Sequence, residues 1–368
     1  MIDYQNYIDG RWLASSDGKT FEQRNPANLE EVTGYWPKST REDAKQAIES
    51  SHAAFADWAG IGVHKRAEYL CKAVAVMKGR AEEIAAILTA ENGKTLNESR
   101  TEVSSAVREM EFQIAQGVAM CGETVPSSTP GVFAYSVRRP VGVASIISPW
   151  NFPFNVPGRK CTPALISGNT IVFKPASLTP KAGKAFVDVF IEAGLPPGVL
   201  NFVAGGGGTV GEEMITNPLV EAISFTGSTG VGKSIQQSVA QTLVRTQLEL
   251  GGKNPAVIME DADLDKATDA VATAAYACAG QWCTSTSRAI VVREVAEAFN
   301  AKLLERVKAT RVGDGRGATQ DRAAQTAVQL VLLCRVDGRR FRSRRLLGPD
   351  RSGHQNESRQ QRTQLAGS

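Results

Sequence analysis

The chain has 368 residues, 42% apolar and 22% charged, with a formal net charge of +4, which is long enough for about two domains. No apolar run reaches the ~18 residues of a membrane-spanning helix, and Met1-Ile2-Asp3-Tyr4 opens no basic or apolar leader, so a cytoplasmic protein is expected. Six cysteines without paired spacing and only three histidines argue for reduced thiols, against a metal site and against a Cys-His dyad.

In chain order, Asn6 to Trp12 reads as a short hairpin around Asp9-Gly10. Thr40 with Asp43 three residues on opens a helix through Trp58, and further helices are expected over 64–90 and 98–120. Residues 121–140 are polar and hold Pro and Ser, with Phe133, Tyr135 and Val137 alternating, as in a strand ribbon leaving the main body. From Val141 the texture changes. Apolar, β-branched runs at 143–147, 170–173, 200–203, 222–225 and 256–258 alternate with helical segments at 156–167, 180–194, 208–216, 230–243 and 263–279. Strands buried on both faces and separated by helices predict a doubly wound parallel sheet in an α/β fold. Such sheets bind ligands beyond the carboxyl ends of their strands.

Motifs stand at those ends. Ser148-Pro149-Trp150-Asn151-Phe152-Pro153 follows the first run; it is either an aromatic-packed turn or a place where the Asn151 amide faces a developing oxyanion. Lys174-Pro175-Ala176-Ser177 follows the second. A snorkelling lysine is the commoner reading, a ribose or phosphate contact the functional one. Gly205 to Gly208 is a slack loop or a point of close backbone approach to a ligand. Gly227 to Ser234 satisfies the spacing of a phosphate-binding loop, but three strand-helix units precede it, whereas that loop usually follows the first strand of its domain. Glu249 ends an apolar strand and precedes Gly251-Gly252, which lets the backbone turn and aim the carboxylate into a cleft. Cys283 comes 34 residues later in Gly280-Gln281-Trp282-Cys283-Thr284-Ser285-Thr286-Ser287. Most cysteines are small buried hydrophobes; a glycine before this one and a run of hydroxyls after it suit a presented, reactive thiol better.

Taken in order, Pro149 to Pro153, Lys174 to Ser177, Phe225 to Ser228, Leu248 to Lys253 and Gly280 to Cys283 resemble the aldehyde dehydrogenase superfamily over roughly residues 5–315. Within it, Gly251 to Asp265 and Cys283 to Arg288 are most similar to bacterial enzymes that oxidise 2,5-dioxopentanoate, also called α-ketoglutaric semialdehyde. The resemblance implies a cofactor domain at 1–120 and 141–249, a ribbon for oligomerisation at 121–140 and an incomplete α/β catalytic domain at 250–315. It implies Cys283 as nucleophile, Asn151 and the Cys283 N–H as oxyanion donors, and Glu249 as the base that activates water. It places NAD or NADP against Trp150, Lys174, Ser177, Gly207, Gly227, Ser228 and Leu250. Where the family often carries glutamate this chain has Ser177, which should admit NADP as well as NAD. A CoA-acylating enzyme is the alternative within the class, against which Glu249 argues; a silent nucleotide-binding fragment is the alternative outside it.

After Gly315 the resemblance stops. Residues 316–368 hold 11 Arg, no Lys and 4 acidic residues, whereas the preceding stretch holds 16 Lys, 15 Arg and 34 acidic residues. The basicity therefore belongs to the tail. With Phe341 as its sole aromatic and no nucleic-acid fold signature, the tail gives no reason to expect a nucleic-acid partner. Its composition is that of a disordered segment, and its abrupt loss of lysine reads as a frame change in GC-rich coding sequence rather than a genuine tail. Family-type oligomers and activity are accordingly expected to be impaired.

Overall fold

The computed structural model describes residues 3–317 and the backbones of two later strands, Val331–Cys334 and Arg342–Arg345. These residues form two compact units. The first runs through Gly252 and adds Tyr276–Thr284 and the stretch from Ala309; the second holds Lys253–Ala275, Ser285–Lys308 and the two later strands.

The first unit opens with β1 (Asn6–Ile8) and β2 (Arg11–Leu13), the expected hairpin, and a second hairpin, β3 (Thr20–Asn25) and β4 (Asn28–Pro37). Four helices follow: α1 (Arg41–Gly60), α2 (Val63–Gly79), α3 (Ala81–Asn92) and α4 (Leu96–Val118). The single helix expected over 64–90 is thus two, broken where Gly79 meets Arg80, whose N–H closes the first on the Val76 carbonyl. Both α1 and α4 start with a reciprocal capping box, Thr40 with Asp43 and Thr95 with Glu98. Two short paired strands, β5 (Thr124–Val125) and β6 (Ala134–Tyr135), lie in the exposed stretch 121–140.

Then come β7 (Val143–Ile147), α5 (Asn155–Ile166), β8 (Thr170–Lys174), α6 (Pro180–Glu192) and β9 (Leu200–Phe202). A turn of π-helix at Gly207–Gly211 leads into α7 (Glu212–Thr216), followed by β10 (Val220–Gly227), α8 (Thr229–Ser238) and β11 (Arg245–Leu250). The seven-stranded sheet has the order β11-β10-β7-β8-β9-β1-β2. Its first five strands are parallel, and the opening hairpin adds to the far edge through an antiparallel β1–β9 pair. Every residue of β7, β8 and β9 is buried, as expected for central strands covered on both faces. On one face Phe173, Phe186, Phe190 and Phe202 interlock edge-on or tilted.

The second unit holds β12 (Asn254–Ile258), α9 (Leu264–Tyr276), β13 (Thr286–Val291), α10 (Arg293–Lys308), β14 (Val331–Cys334) and β15 (Arg342–Arg345). Its sheet has the order β12-β13-β14-β15, parallel except for the last pair. The run at 256–258, which alternation placed after the others, therefore starts a separate sheet. The expectation of a disordered 316–368 falls mostly outside the described residues. Within it β14 and β15 pair as strands, and Val331-Leu332-Leu333-Cys334 is an apolar run suited to that, a local signal that the bulk arginine count concealed.

Candidate active site

The carboxyl ends of β7, β8, β9 and β10 carry the loops singled out in the sequence. The loop after β7 is anchored from below by α4 and the segment before it. Lys94 and Glu102 form an ion pair at 2.5 Å with both side chains fully buried. The Lys94 Nζ also donates to the Asn151 carbonyl at 2.8 Å and lies 4.3 Å from the centre of the Phe152 ring. The other Glu102 oxygen accepts the Phe154 and Asn155 N–H groups at 2.9 and 3.1 Å. Asn92 Nδ2 adds a bond to the Trp150 carbonyl. A loop that reads as a Pro-rich turn is therefore fixed by a buried charge pair.

One turn away on α4, Glu98 performs the same task for the cysteine loop. One of its oxygens completes the Thr95 capping box; the other accepts the Cys278 N–H at 2.7 Å. That bond secures an unusual backbone. Cys278 and Ala279 have φ of 50° and 57°, and Gly280 has 72°, so two residues with side chains sit in the left-handed region, a strain of roughly 1–3 kcal/mol each. The turn delivers Cys283 to an exposed position. Its N–H has no hydrogen-bond partner among the described residues. Asn151 reaches the same loop, where its Nδ2 donates to the Gln281 carbonyl at 2.7 Å. An amide nitrogen carries two hydrogens, so one is used here and one is left.

Glu249, exposed near the end of β11, accepts from Gln247 Nε2 at 3.2 Å. Gln247 Oε1 in turn accepts from the Lys160 Nζ at 2.9 Å, and Lys160 also donates to Ser224. Burial pushes the Lys160 amine down to about 8, with Glu249 pulling the other way. The glutamate and cysteine motifs adjoin: a Cβ placed on Gly252 would stand 3.8 Å from the Cys283 carbonyl oxygen. Arg159, beside Lys160 on α5, is clamped by both oxygens of Glu109. That clamp raises its pKa first, and the charges of Cys283 and Glu249 add to it. Neither Arg159 nor Lys160 was among the sequence candidates. A charged pair at the start of a helix reads as a solvated face, and only the chain's return past residue 245 shows what it faces.

The residues expected to hold a dinucleotide line the same strand ends. Lys174 is buried, its Nζ donating among the described residues only to the Pro175 carbonyl, and burial pushes its amine down to about 8. Ser177 Oγ donates to the Gly205 carbonyl at 3.1 Å, tying the second loop to the glycine loop that contains Gly207. Ser228 caps α8 with its hydroxyl. At Gly227 a Cβ would lie 2.4 Å from the Phe225 ring, and at Gly232 one would lie 2.6 Å from Leu250. These glycines keep the α8 turn flat against the sheet and Leu250. Trp150 stays 40% exposed. Ser148 and Thr226, at the ends of β7 and β10, each bury a hydroxyl without a partner. A buried amine with spare protons, two orphaned hydroxyls and a glycine-flattened helix start fit a bound dinucleotide. Among the described residues no cluster of metal-ligating side chains occurs and no helix is long and apolar enough to cross a membrane.

Comparison with known proteins identifies the family and the fold. The model of the aldehyde dehydrogenase family matches residues 12–329. The chain is 40% identical over 311 residues to the alpha-ketoglutaric semialdehyde dehydrogenase of Bacillus subtilis, covering 84% of this chain and 64% of that protein. It is also 40% identical over 317 residues to the 2,5-dioxopentanoate dehydrogenase of Saccharolobus solfataricus, covering 86% and 66%. A solved 3,6-anhydro-L-galactose dehydrogenase in complex with NAP superposes with a TM-score of 0.84 at 35% identity, covering 87% of this chain and 67% of that one. The chain thus spans about two thirds of the length of the curated relatives it matches. A match that begins in the opening hairpin and continues past the cysteine loop and α10, over most of the chain, means that the chain belongs to the aldehyde dehydrogenase family.

Proposed function

We propose that this chain carries the site for oxidising an aldehyde that bears a remote carboxylate, with Cys283 as nucleophile and NAD or NADP as hydride acceptor. The observation that carries the reading is the convergence of the Cys283 loop, Asn151 and the Glu249–Gly252 turn, pinned together by Glu98, Glu102 and the Asn151–Gln281 bond. The Cys283 thiolate adds to the carbonyl carbon, a C–S bond forms and the carbonyl pair moves to oxygen. The free hydrogen of Asn151 Nδ2 and the Cys283 N–H are placed to meet that oxyanion. When bound, the dinucleotide supplies the hydride acceptor. As the carbonyl re-forms, hydride leaves the carbon and a thioester to Cys283 remains. Glu249 then takes a proton from water, hydroxide adds to the thioester, and the C–S bond breaks to release the acid and the thiolate. Lys160, through Gln247, holds the Glu249 carboxylate in place.

Glu249→Gln should leave thioester formation and remove the base that clears it. Rapid mixing is expected to give a burst of reduced cofactor about equal to the sites, followed by slow turnover; loss of the burst would put Glu249 before hydride transfer.

Arg159 supports the choice of substrate class. It stands within the field of both Cys283 and Glu249, with a terminal nitrogen outside the Glu109 clamp, and the two curated relatives are named for anionic aldehydes. Arg159→Met should raise KM for a semialdehyde about tenfold or more and leave a neutral aldehyde of equal length within about twofold, since a charge-assisted bond is worth roughly 1.5–3 kcal/mol. Equal effects on both would remove Arg159 from substrate recognition.

Ser177 in place of a carboxylate supports acceptance of either dinucleotide. Ser177→Glu is expected to weaken NADP by about 100-fold, or roughly 3 kcal/mol, with little loss of NAD, because like charges brought together cost several kcal/mol. Calorimetric titration with both cofactors decides it, and equal losses would mean that Ser177 does not face the ribose. We assign subunit contacts to the tip of the 121–140 ribbon, where Phe133 and Tyr135 are exposed.

A further inference from the structure

Away from the active site, a cavity of about 500 Å³ opens at the foot of the 121–140 ribbon. Three arginines line it, Arg66, Arg138 and Arg139, together with Cys121, and no acidic side chain does. Arg66 is 8% exposed. Its Nε donates to the Ile166 carbonyl at 3.0 Å, and its Nη1 reaches the Ala59 carbonyl at 3.3 Å and that of Ile61, leaving Nη2 without a partner among the described residues. Arg138 spends only its Nε, on the Cys121 carbonyl, and Arg139 makes no hydrogen bond or ion pair among the described residues.

Charge decides what such a cavity takes. The carboxyl ends of α1, α4 and α5 meet here, at Gly60, Val118 and Ile166, and each carries roughly half a negative elementary charge. Arg66, bonded to the last carbonyls of α1 and α5, offsets two of them. One helix end then faces Arg138 and Arg139, so the cavity remains positive by more than one charge. Guanidinium forks match carboxylate and phosphate oxygens, while Val63, Met120, Val137 and Pro140 supply an apolar wall. We propose that this cavity binds a small organic oxyanion, a phosphate monoester or carboxylate, whose charged head sits among the three arginines and whose body lies on the apolar wall.

Cys121 is an exposed thiol in the cavity lining, and Cys71, exposed on α2 outside that lining, is an internal control. Iodoacetamide labelling of both is followed by peptide mass spectrometry in chloride, in phenyl phosphate and in benzoate at matched ionic strength and pH. The expected result is a saturable slowing at Cys121, fivefold or more, with Cys71 unchanged, and loss of that protection in Arg138→Ala/Arg139→Ala. Protection by phenyl phosphate alone assigns a phosphate head, and by benzoate alone a carboxylate head. Equal labelling in all three salts overturns the proposal, as does protection that survives in the double variant. Protection in chloride that rises with protein concentration also overturns it, because a second copy of the chain would then fill the cavity.

Discussion

A Cys283→Ala chain is expected to lose all thiol-dependent chemistry, both aldehyde oxidation and ester hydrolysis falling to the uncatalysed rate, while affinity for NAD or NADP stays within about twofold. The size of the effect follows from the proposed role: a nucleophilic sulfur forms the bond to substrate, and no neighbouring group would replace it. Cys278, five residues earlier, does not serve, because it is buried and burial pushes its thiol up to about 11. The unchanged cofactor affinity follows from position, since Lys174, Ser177 and the α8 turn lie on strands β8 and β10 and their loops. Steady-state assays beside a binding titration check both halves. Residual turnover in the alanine variant would place the nucleophile elsewhere.

The second large effect concerns stability. Glu102→Ala should destabilise the first unit by about 3–5 kcal/mol, because it leaves the Lys94 ammonium buried without its counter-charge and strips the Phe154 and Asn155 N–H groups of their acceptor. Replacing the pair together, Lys94→Met with Glu102→Leu, should recover most of that loss, since well-packed apolar groups often equal a buried ion pair. The loop would still have lost three of its anchors. The double variant is therefore expected to keep its melting temperature closer to the wild type than Glu102→Ala does, yet to alkylate Cys283 and hydrolyse esters with altered rates. Thermal melts of the three chains beside Cys283 labelling test this. A single variant that loses less than about 1 kcal/mol would show that the pair is not what holds the loop.

The parts of this molecule legible in its sequence are those written locally. Thr40 with Asp43 announces a helix start because the capping box is closed within four residues, and the hydrophobic strands at 143–147 and 170–173 stand out because burial on both faces leaves no polar alternation. The motifs at the carboxyl ends of these strands could be read for the same reason. The hairpin at Thr20–Pro37 could not, because its strands are exposed on one face and rich in Glu, Asn and Thr, so neither period nor composition separates them from a loop. Long-range contacts are illegible in principle. Glu98 declares its cap on Thr95, but its bond to Cys278 spans 180 residues, and nothing near either end marks it. In sequence Asn151 belongs either to a packed turn or to an amide facing an oxyanion, and neither reading shows that one hydrogen of that amide holds the Gln281 carbonyl. Lys94 and Glu102 look like solvated charges in sequence, and only complete burial of both shows that they are the floor of the site.

The most direct measurement is the site of the acyl group. Wild-type chain given an activated ester, or a semialdehyde with NAD or NADP, is quenched in acid, cut with trypsin and fragmented in a mass spectrometer. Cys283 and Cys278 fall in one peptide, between Lys266 and Arg288, and fragmentation between them separates the two. With Cys283 as nucleophile, an acyl mass is expected on Cys283 and accumulates further in Glu249→Gln. An acyl group on Cys278, Cys121 or Cys71, or a turning-over chain with no acyl group on Cys283 in either protein, would contradict it.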